Sequence, residues 1–296
     1  MSNNTAISRI APRAHGRFID RVRRRGRRLV LLAGLTALAA FWVYPFLWMI
    51  STSLKTNAEV FRGLSLVPQS GAQFQNYVRA WTAARFGIYF QNTVIVAAAV
   101  VVSVLLITSM AGYALGRRKA PGYKVILGLL VGTLLVPNSF TVIPIFDLMR
   151  SLGLLNTIAA VILAQVGTVP VIFILLFMGF FRSIPQEMED SGVMDGAGFA
   201  RVYRSIMLPM TGPVVATVVI FQFMHSWNDF LFPLVFTLGR PEARTLAVGM
   251  FAFVGEHMID WAGMAAAASI ALVPIMVLFI FMQKHFVRGL EGAVKG

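Results

Sequence analysis

Six apolar stretches, each about as long as a bilayer-crossing helix, dominate this chain. They fall at residues 29–50, 90–114, 125–147, 157–181, 211–236 and 263–283. Lipid offers a backbone no hydrogen bonds, so a crossing segment must satisfy itself, and a helix does so within one segment. Hydrophobic residues make up 57% of the 296 and charged residues only 13%, against about 45–50% and 25% in soluble domains. A soluble fold of this size could not hide so much apolar side chain, and a disordered chain would be far more polar. The expected fold class is an all-α membrane protein with six transmembrane helices.

Charge orients those helices. The net charge is +14, and nine of the 26 basic residues lie in 1–28 with a single acid, Asp20. A basic protein invites a nucleic-acid reading, but here an apolar run begins directly after the basic block, at Leu29. That order is a positive-inside signature, and no nucleic-acid partner is expected. With both termini on one side, that side receives 1–28, 115–124, 182–210 and the tail, with 19 Lys and Arg; the other side receives 7. Both termini are therefore expected in the cytoplasm, in the inner membrane of a bacterial or archaeal cell. Trp42, Tyr44 and Trp48 then lie toward the outer interface. The first apolar run is long and lacks a small-residue cleavage site, so a cleaved signal peptide is not expected. The chain divides into a basic arm, 1–28, and a six-span domain, 29–296.

Within the spans, Pro137 and Pro144 interrupt the third stretch, each removing a backbone donor. The bland consequence is a kink; the sharper one is a gate beside a translocation path. Gly112, Gly128, Gly132, Gly167, Gly179 and Gly212 permit close helix packing.

Much chemistry is excluded. There is no cysteine, hence no disulfide or thiolate catalysis. No Gly-x-x-x-x-Gly-Lys-Ser/Thr loop is present, so this chain should not itself hydrolyse ATP. Neither His-Glu-x-x-His nor Gly-x-Ser-x-Gly occurs, and the four histidines show no ligand spacing. No metal, no bound cofactor and no enzymatic activity are expected.

The informative linker is 184–209, between spans four and five. Pro185 precedes a run with Glu187 and Glu189 in its first turn, a helix start. Gly196 and Gly198 break that run, and a second helix over about 199–207 ends before Pro209. A helix–turn–helix results, with apolar Met188, Val193, Met194, Phe199 and Tyr203 among charged residues, a surface suited to docking a protein. The segment resembles the signature loop of importer permeases of the ATP-binding-cassette class: Glu-Ala-Ala, three residues, Gly, nine residues, Ile-x-Leu-Pro. Here Asp190-Ser191-Gly192, Gly196 and Ile206-Met207-Leu208-Pro209 keep that spacing. Asp retains the acid, whereas Ser and Gly weaken the helix, Gly by up to about 1 kcal/mol.

Asn76-Tyr77, Gln91-Asn92-Thr93, 152–157, 227–233 and the tail 286–296 resemble the carbohydrate branch of that class, of the maltose-permease-G type. The resemblance implies a complex: a second permease subunit, two ATPase subunits that bind ATP and Mg, an extracytoplasmic solute-binding protein, and a sugar. It implies coupling to the ATPase through Glu189, Asp190, Ser191, Gly192, Met194, Asp195, Gly196, Arg201, Ile206, Leu208 and Pro209.

Span five carries Gln222, His225, Ser226, Asn228 and Asp229. Positions 222, 225 and 229 recur at helical spacing and are expected on one face. A carboxylate at mid-bilayer costs about 2.5–3.5 kcal/mol, so Asp229 should face the bundle or water, and His225 could pair with it. Gln222, His225, Asn228 and Asp229 are thus candidates to line a path for a hydroxylated solute, or a structural bridge. Rival functions are a glycerol-phosphate importer subunit, a stand-alone transporter using His225 and Asp229 as a proton relay, and an intramembrane enzyme using the same pair.

The charge asymmetry predicts that a single cysteine introduced at position 200 will react with an impermeant thiol reagent only in inverted vesicles. Labelling from the outside of intact cells would reverse the topology.

Overall fold

The computed structural model describes residues 14–294 apart from 64, 84, 118–121, 169 and 255–258. The first 13 residues of the basic arm, His257 and the side chains of the tail motif lie outside the described residues. Helix α1 (Ala14–Ser53) carries the rest of the basic segment and the first apolar run as one rod of 40 residues. The short α2 (Asn57–Val60) and α3 (Gln75–Ala83) follow, then α4 (Phe86–Arg117), 32 residues long. A 3-10 turn over Asn138–Thr141 lies between α5 (Tyr123–Thr133) and α6 (Val142–Ser151). Helices α7 (Ile158–Gly167) and α8 (Val171–Ser183) meet at a 54° bend. Next come α9 (Gln186–Met194), α10 (Phe199–Val202), a π turn over Tyr203–Met207, and α11 (Leu208–Met210). The order closes with α12 (Gly212–Asn228), α13 (Leu231–Phe236), α14 (Leu246–Gly249) and α15 (Trp261–Val294). Among the described residues there is no strand, only one isolated bridge between Val254 and Ile259.

The all-helical class is as expected, but not all six stretches are single helices. Among the described residues, three helical segments are long and apolar enough to cross a membrane, Gly26–Ser53, Phe86–Arg117 and Trp261–Gln283. The number rises to five if each of two bent pairs is one span, α7 with α8 and 199–210 with α12. The third stretch, 125–147, is broken between α5 and α6. Pro137 accounts for this: it holds an extended backbone (φ −63°, ψ 130°) and disfavours helix at Val136. Pro144 breaks nothing, because it sits in the first turn of α6, where an N–H has no helical partner. Pro170 divides the fourth stretch in the same way as Pro137 (φ −66°, ψ 108°). Asp229, extended at φ −64° and ψ 124°, ends α12 and divides the fifth.

Helix α4 is the centre of the bundle, lying against α7, α8 and α12. Its close approach to α8 is at Gly112. A Cβ there would lie 2.5 Å from Phe177 Cβ and 2.9 Å from the Met178 nitrogen, so α4 and α8 meet backbone to backbone. Of the glycines that the sequence offers for close packing, Gly128, Gly132, Gly167, Gly179 and Gly212 have open space beside them instead. Around the Gly112 contact the core packs Val96, Val100, Val104, Tyr113, Phe177 and Phe181. Lipid tails are as apolar as these side chains, so the contact gains mainly from dispersion at close range. By contrast α5 buries no residue and the apolar window of α1 is 0% buried within the chain.

The linkers gather into two sets. In one, 51–89 meets 237–262: Arg79 pairs with Asp260 at 3.1 Å, Asn57 Nδ2 donates to Asp260 Oδ1 at 3.0 Å, and Arg85 pairs with Glu242 at 2.5 Å. The motifs quoted for their family resemblance work here as staples. Asn76 Nδ2 donates to the carbonyls of Ser53 (2.9 Å) and Lys55 (2.8 Å). Asn92 Nδ2 donates to those of Glu242 (2.7 Å) and Arg244 (2.9 Å), and Thr93 Oγ1 accepts from the Leu246 N–H at 2.8 Å. Exposed ion pairs contribute roughly 0–1 kcal/mol; a buried amide left without these partners would cost about 1–3 kcal/mol. The backbone N–H groups of Gln69 and Ser70 bond the Glu59 carboxylate and hold it below the usual range. In the other set 115–124 meets 182–210, with Arg182 Nη2 donating to the Leu115 carbonyl at 3.2 Å.

Two alanine substitutions should have opposite signs. Gly128→Ala has open space beside it and should stabilise by up to about 1 kcal/mol through helix propensity. Gly112→Ala should destabilise by about 1–3 kcal/mol despite the same propensity gain, because neither backbone can yield. Thermal unfolding in detergent measures both.

Candidate functional site

The segment 184–211 forms a knob. Pro185 presets the extended backbone before α9, and Glu187 and Glu189 lie in its first turn, where a carboxylate complements the helix dipole. The end of α9 is closed by two hydrogen bonds: Ala197 N–H to the Gly192 carbonyl (3.0 Å) and Gly196 N–H to the Val193 carbonyl (2.9 Å). That pattern needs a left-handed residue at its pivot, and Gly196 has φ +77°. The second helix differs from expectation. It runs past Pro209 to Met210 and meets α12 at 79° around Thr211. Pro209 lacks an N–H and crowds the carbonyl four residues earlier; the π turn just before it absorbs that conflict.

The residues singled out in this segment separate by burial. Glu189 and Gly192 are buried, and Ile206 and Leu208 half-buried. Gly192 lies directly under the Ile206 side chain, leaving no room for a Cβ unless Ile206 moves. Asp190, Ser191, Met194, Asp195, Gly196, Arg201 and Pro209 are exposed. Met194 is 87% exposed, with Met188, Val193 and Phe199 also open around it, so the outward side of the knob is apolar with charges at its edge. The inward side is gripped by α4. Tyr113 Oη donates to Glu189 Oε1 at 3.1 Å, and Arg117 Nε lies 3.5 Å from Glu189 Oε2. Arg117 also donates to the Ile184 carbonyl (2.5 Å) and to Gln186 Oε1 (3.1 Å). The Tyr113 ring stacks on Phe199 at 4.9 Å and meets Phe181 and Tyr203; Ser109 Oγ and Tyr203 Oη are 2.7 Å apart. Sequence reasoning missed Ser109, Tyr113 and Arg117. Their signal was a polar i, i+4, i+8 row at the end of an apolar helix.

The polar residues of the fifth stretch do not form one face. Gln222 is buried at 1% exposure, whereas His225 and Asn228 are exposed and Asp229 half-buried. At 100° per residue, 222 and 226 align within 40° while 225 stands 60° away on the other side, and α12 ends before 229 can continue the row. The expected His225–Asp229 pair is not formed. Asp229 Oδ2 instead accepts from Gln165 Nε2 at 2.6 Å, and Oδ1 accepts from the Leu231 N–H at 3.1 Å, at the start of α13. Gln165 Oε1 accepts from Ser226 Oγ at 2.6 Å. The result is a buried amide–carboxylate–hydroxyl cluster linking α7 to the break after α12. Gln222 Oε1 is buried without a hydrogen-bond partner among the described residues. Gln165 was also missed, although it is the one amide side chain in its apolar stretch. No group of three His, Cys, Asp or Glu able to hold a metal occurs among the described residues. What this arrangement offers chemically is hydrogen bonding.

The cluster predicts tolerance of one change and not another. In Asp229→Asn the Gln165 amide can rotate by 180°, accepting from the new amide and donating to Ser226. Yield and melting temperature should stay near wild type while uptake falls. Gln165→Leu takes the strongest partner from a half-buried carboxylate and should cost about 1–3 kcal/mol, read as a lower melting temperature in detergent.

Comparison with known proteins identifies the family. Residues 108–292 match the family described as the binding-protein-dependent transport system inner membrane component. The melibiose/raffinose/stachyose import permease protein MelC of Bacillus subtilis is 33% identical over 272 residues, covering 91% of this chain and 97% of that protein. The trehalose/maltose transport system permease protein MalG of Thermococcus litoralis is 30% identical, covering 91% and 98%. A solved bacterial ABC transporter involved in the import of the acidic polysaccharide alginate has the same fold, with a TM-score of 0.75 at 23% identity over 89% of this chain and 97% of that one. These relatives are transport components rather than enzymes. The chain is therefore a member of the family of inner membrane components of binding-protein-dependent transport systems.

Proposed function

We propose that this chain is the permease subunit of an ATP-driven, binding-protein-dependent sugar importer, and that the 184–209 knob is where an ATPase subunit docks. The observation that carries this is the two-sided knob: one side seated on α4, the other presenting Met194, Val193, Met188 and Phe199 to solvent. An apolar patch on an otherwise charged linker needs a protein partner. The exposed Asp190, Ser191, Met194, Asp195, Gly196, Arg201 and Pro209 make the docking contacts; Glu189, Gly192, Ile206 and Leu208 seat the knob beneath them. The relatives named for oligosaccharides, and full-length agreement with them, support a sugar as the solute.

The assembly comprises a second permease subunit, two ATPase subunits carrying ATP and Mg, and an extracytoplasmic solute-binding protein. The chain crosses the membrane six times, with α5 and α6 together making the broken third crossing and both termini in the cytoplasm. The 29–296 domain does the crossing and the 1–28 arm stays inside. The exposed His225 and Asn228 and the half-buried Asp229 face the solute path, with the buried Gln222 behind them, and alternating access requires that solute bind one state better than the other. The proton-relay and intramembrane-enzyme alternatives both require the His225–Asp229 pair, which is absent.

Gly196→Val tests the docking role. A β-branched residue at φ +77° is strained by about 1–2 kcal/mol, and the knob should open. The chain should still insert, but solute-stimulated ATP hydrolysis should be lost, or the ATPase should fail to co-purify. Gly34→Val, on an open face of α1, is the control. Wild-type uptake in Gly196→Val would exclude the role.

A further inference from the structure

One helix holds both the knob and the opposite linker set. At one end of α4, Ser109, Tyr113 and Arg117 bond Tyr203, Glu189, Gln186 and Ile184. At the other, Asn92 bonds the carbonyls of Glu242 and Arg244, and Thr93 bonds the N–H of Leu246. The Tyr89 ring fills the space where a Gly249 side chain would stand. Between them α4 is one continuous helix with no proline, whereas the α7–α8 and α11–α12 routes out of the knob are broken and bent by 54° and 79°. A bent joint can absorb motion at one end without passing it on; a continuous helix held at both ends moves as one body.

We propose that α4 is the rod that transmits movement between the ATPase-docking knob and the 240–250 segment at the far end of the bundle, with Tyr113, Arg117 and Glu189 as positioning residues that make the knob and the rod a single body. Side-chain burial fits this role: the Arg117 and Glu189 side chains are 8% and 9% exposed, so the grip is closed to the docking partner and its charges serve the chain itself. This rests on the proposed docking function.

The test uses the whole reconstituted transporter, with ATPase co-purification, basal ATP hydrolysis and its stimulation by solute-loaded binding protein as separate readouts. The cysteine-free chain allows Arg117→Cys/Glu189→Cys to be joined by a short bis-maleimide. Unlinked, this variant should retain its ATPase and basal hydrolysis but lose at least about fivefold of stimulation, the low end of measured site–site couplings. Linking should restore it. Asn92→Ala/Thr93→Val, at the other end and remote from docking, should lose stimulation to the same extent with the ATPase still bound. Wild-type stimulation in the unlinked pair or in Asn92→Ala/Thr93→Val, continued silence after linking, or loss of the ATPase from either variant would overturn the rod. Failure of the unaltered chain to retain any ATPase would instead overturn the docking function itself.

Discussion

The close approach of α4 and α8 at Gly112 is the contact on which the remaining architecture depends. With the Cβ of a larger residue excluded by Phe177 and the Met178 backbone, the two helices can sit only in this register. Helix α8 then runs through Ile184 and Pro185 directly into α9. Register therefore sets where α9 emerges relative to the end of α4, and places Glu189 against Tyr113 and Arg117 rather than one turn away. A glycine near the end of an apolar stretch thus determines the seating of a segment that lies beyond it.

The second constraint is the cost of unsatisfied backbone and side-chain polar groups in an apolar surround. Three of the breaks in the apolar stretches coincide with a device that lowers it. Pro137 and Pro170 stand just before the segments that follow two of the breaks, where each removes one backbone N–H that would otherwise need a partner. Asp229 breaks the fifth stretch and at once caps α13 through Leu231 while Gln165 holds its other oxygen. The break at Asp229 thus carries its own compensation, built in part from a residue on α7.

Much of this was legible in the residues. Apolar run length reveals helices, loop charge reveals how linkers group, and fixed spacing around Gly196 reveals the knob, because each signal is local. Local signals also mislead. Pro144 looks as disruptive as Pro137 until its place in the first turn of α6 is known, and His225 with Asp229 looks like a pair until α12 ends between them. The residues that sequence reasoning missed, Tyr113, Arg117 and Gln165, act across 76, 72 and 64 positions of chain. No periodicity within one helix encodes such a partner. The family motifs Asn76-Tyr77 and Gln91-Asn92-Thr93 were visible as patterns, but their work as backbone staples could be seen only once the linkers they tie had been brought together.

The length of α4 has a consequence for the membrane itself. At 1.5 Å per residue its apolar stretch, residues 90–114, extends about 38 Å, beyond a hydrocarbon layer of about 30 Å. Such a helix is accommodated by leaning over, by projecting into the headgroup layer, or by thickening the bilayer around it. Its angle is then a compromise between protein contacts and hydrophobic mismatch. A change of acyl-chain length in the surrounding lipid would shift that compromise without altering a single residue, so the lipid is a mechanical component of this protein as much as its solvent.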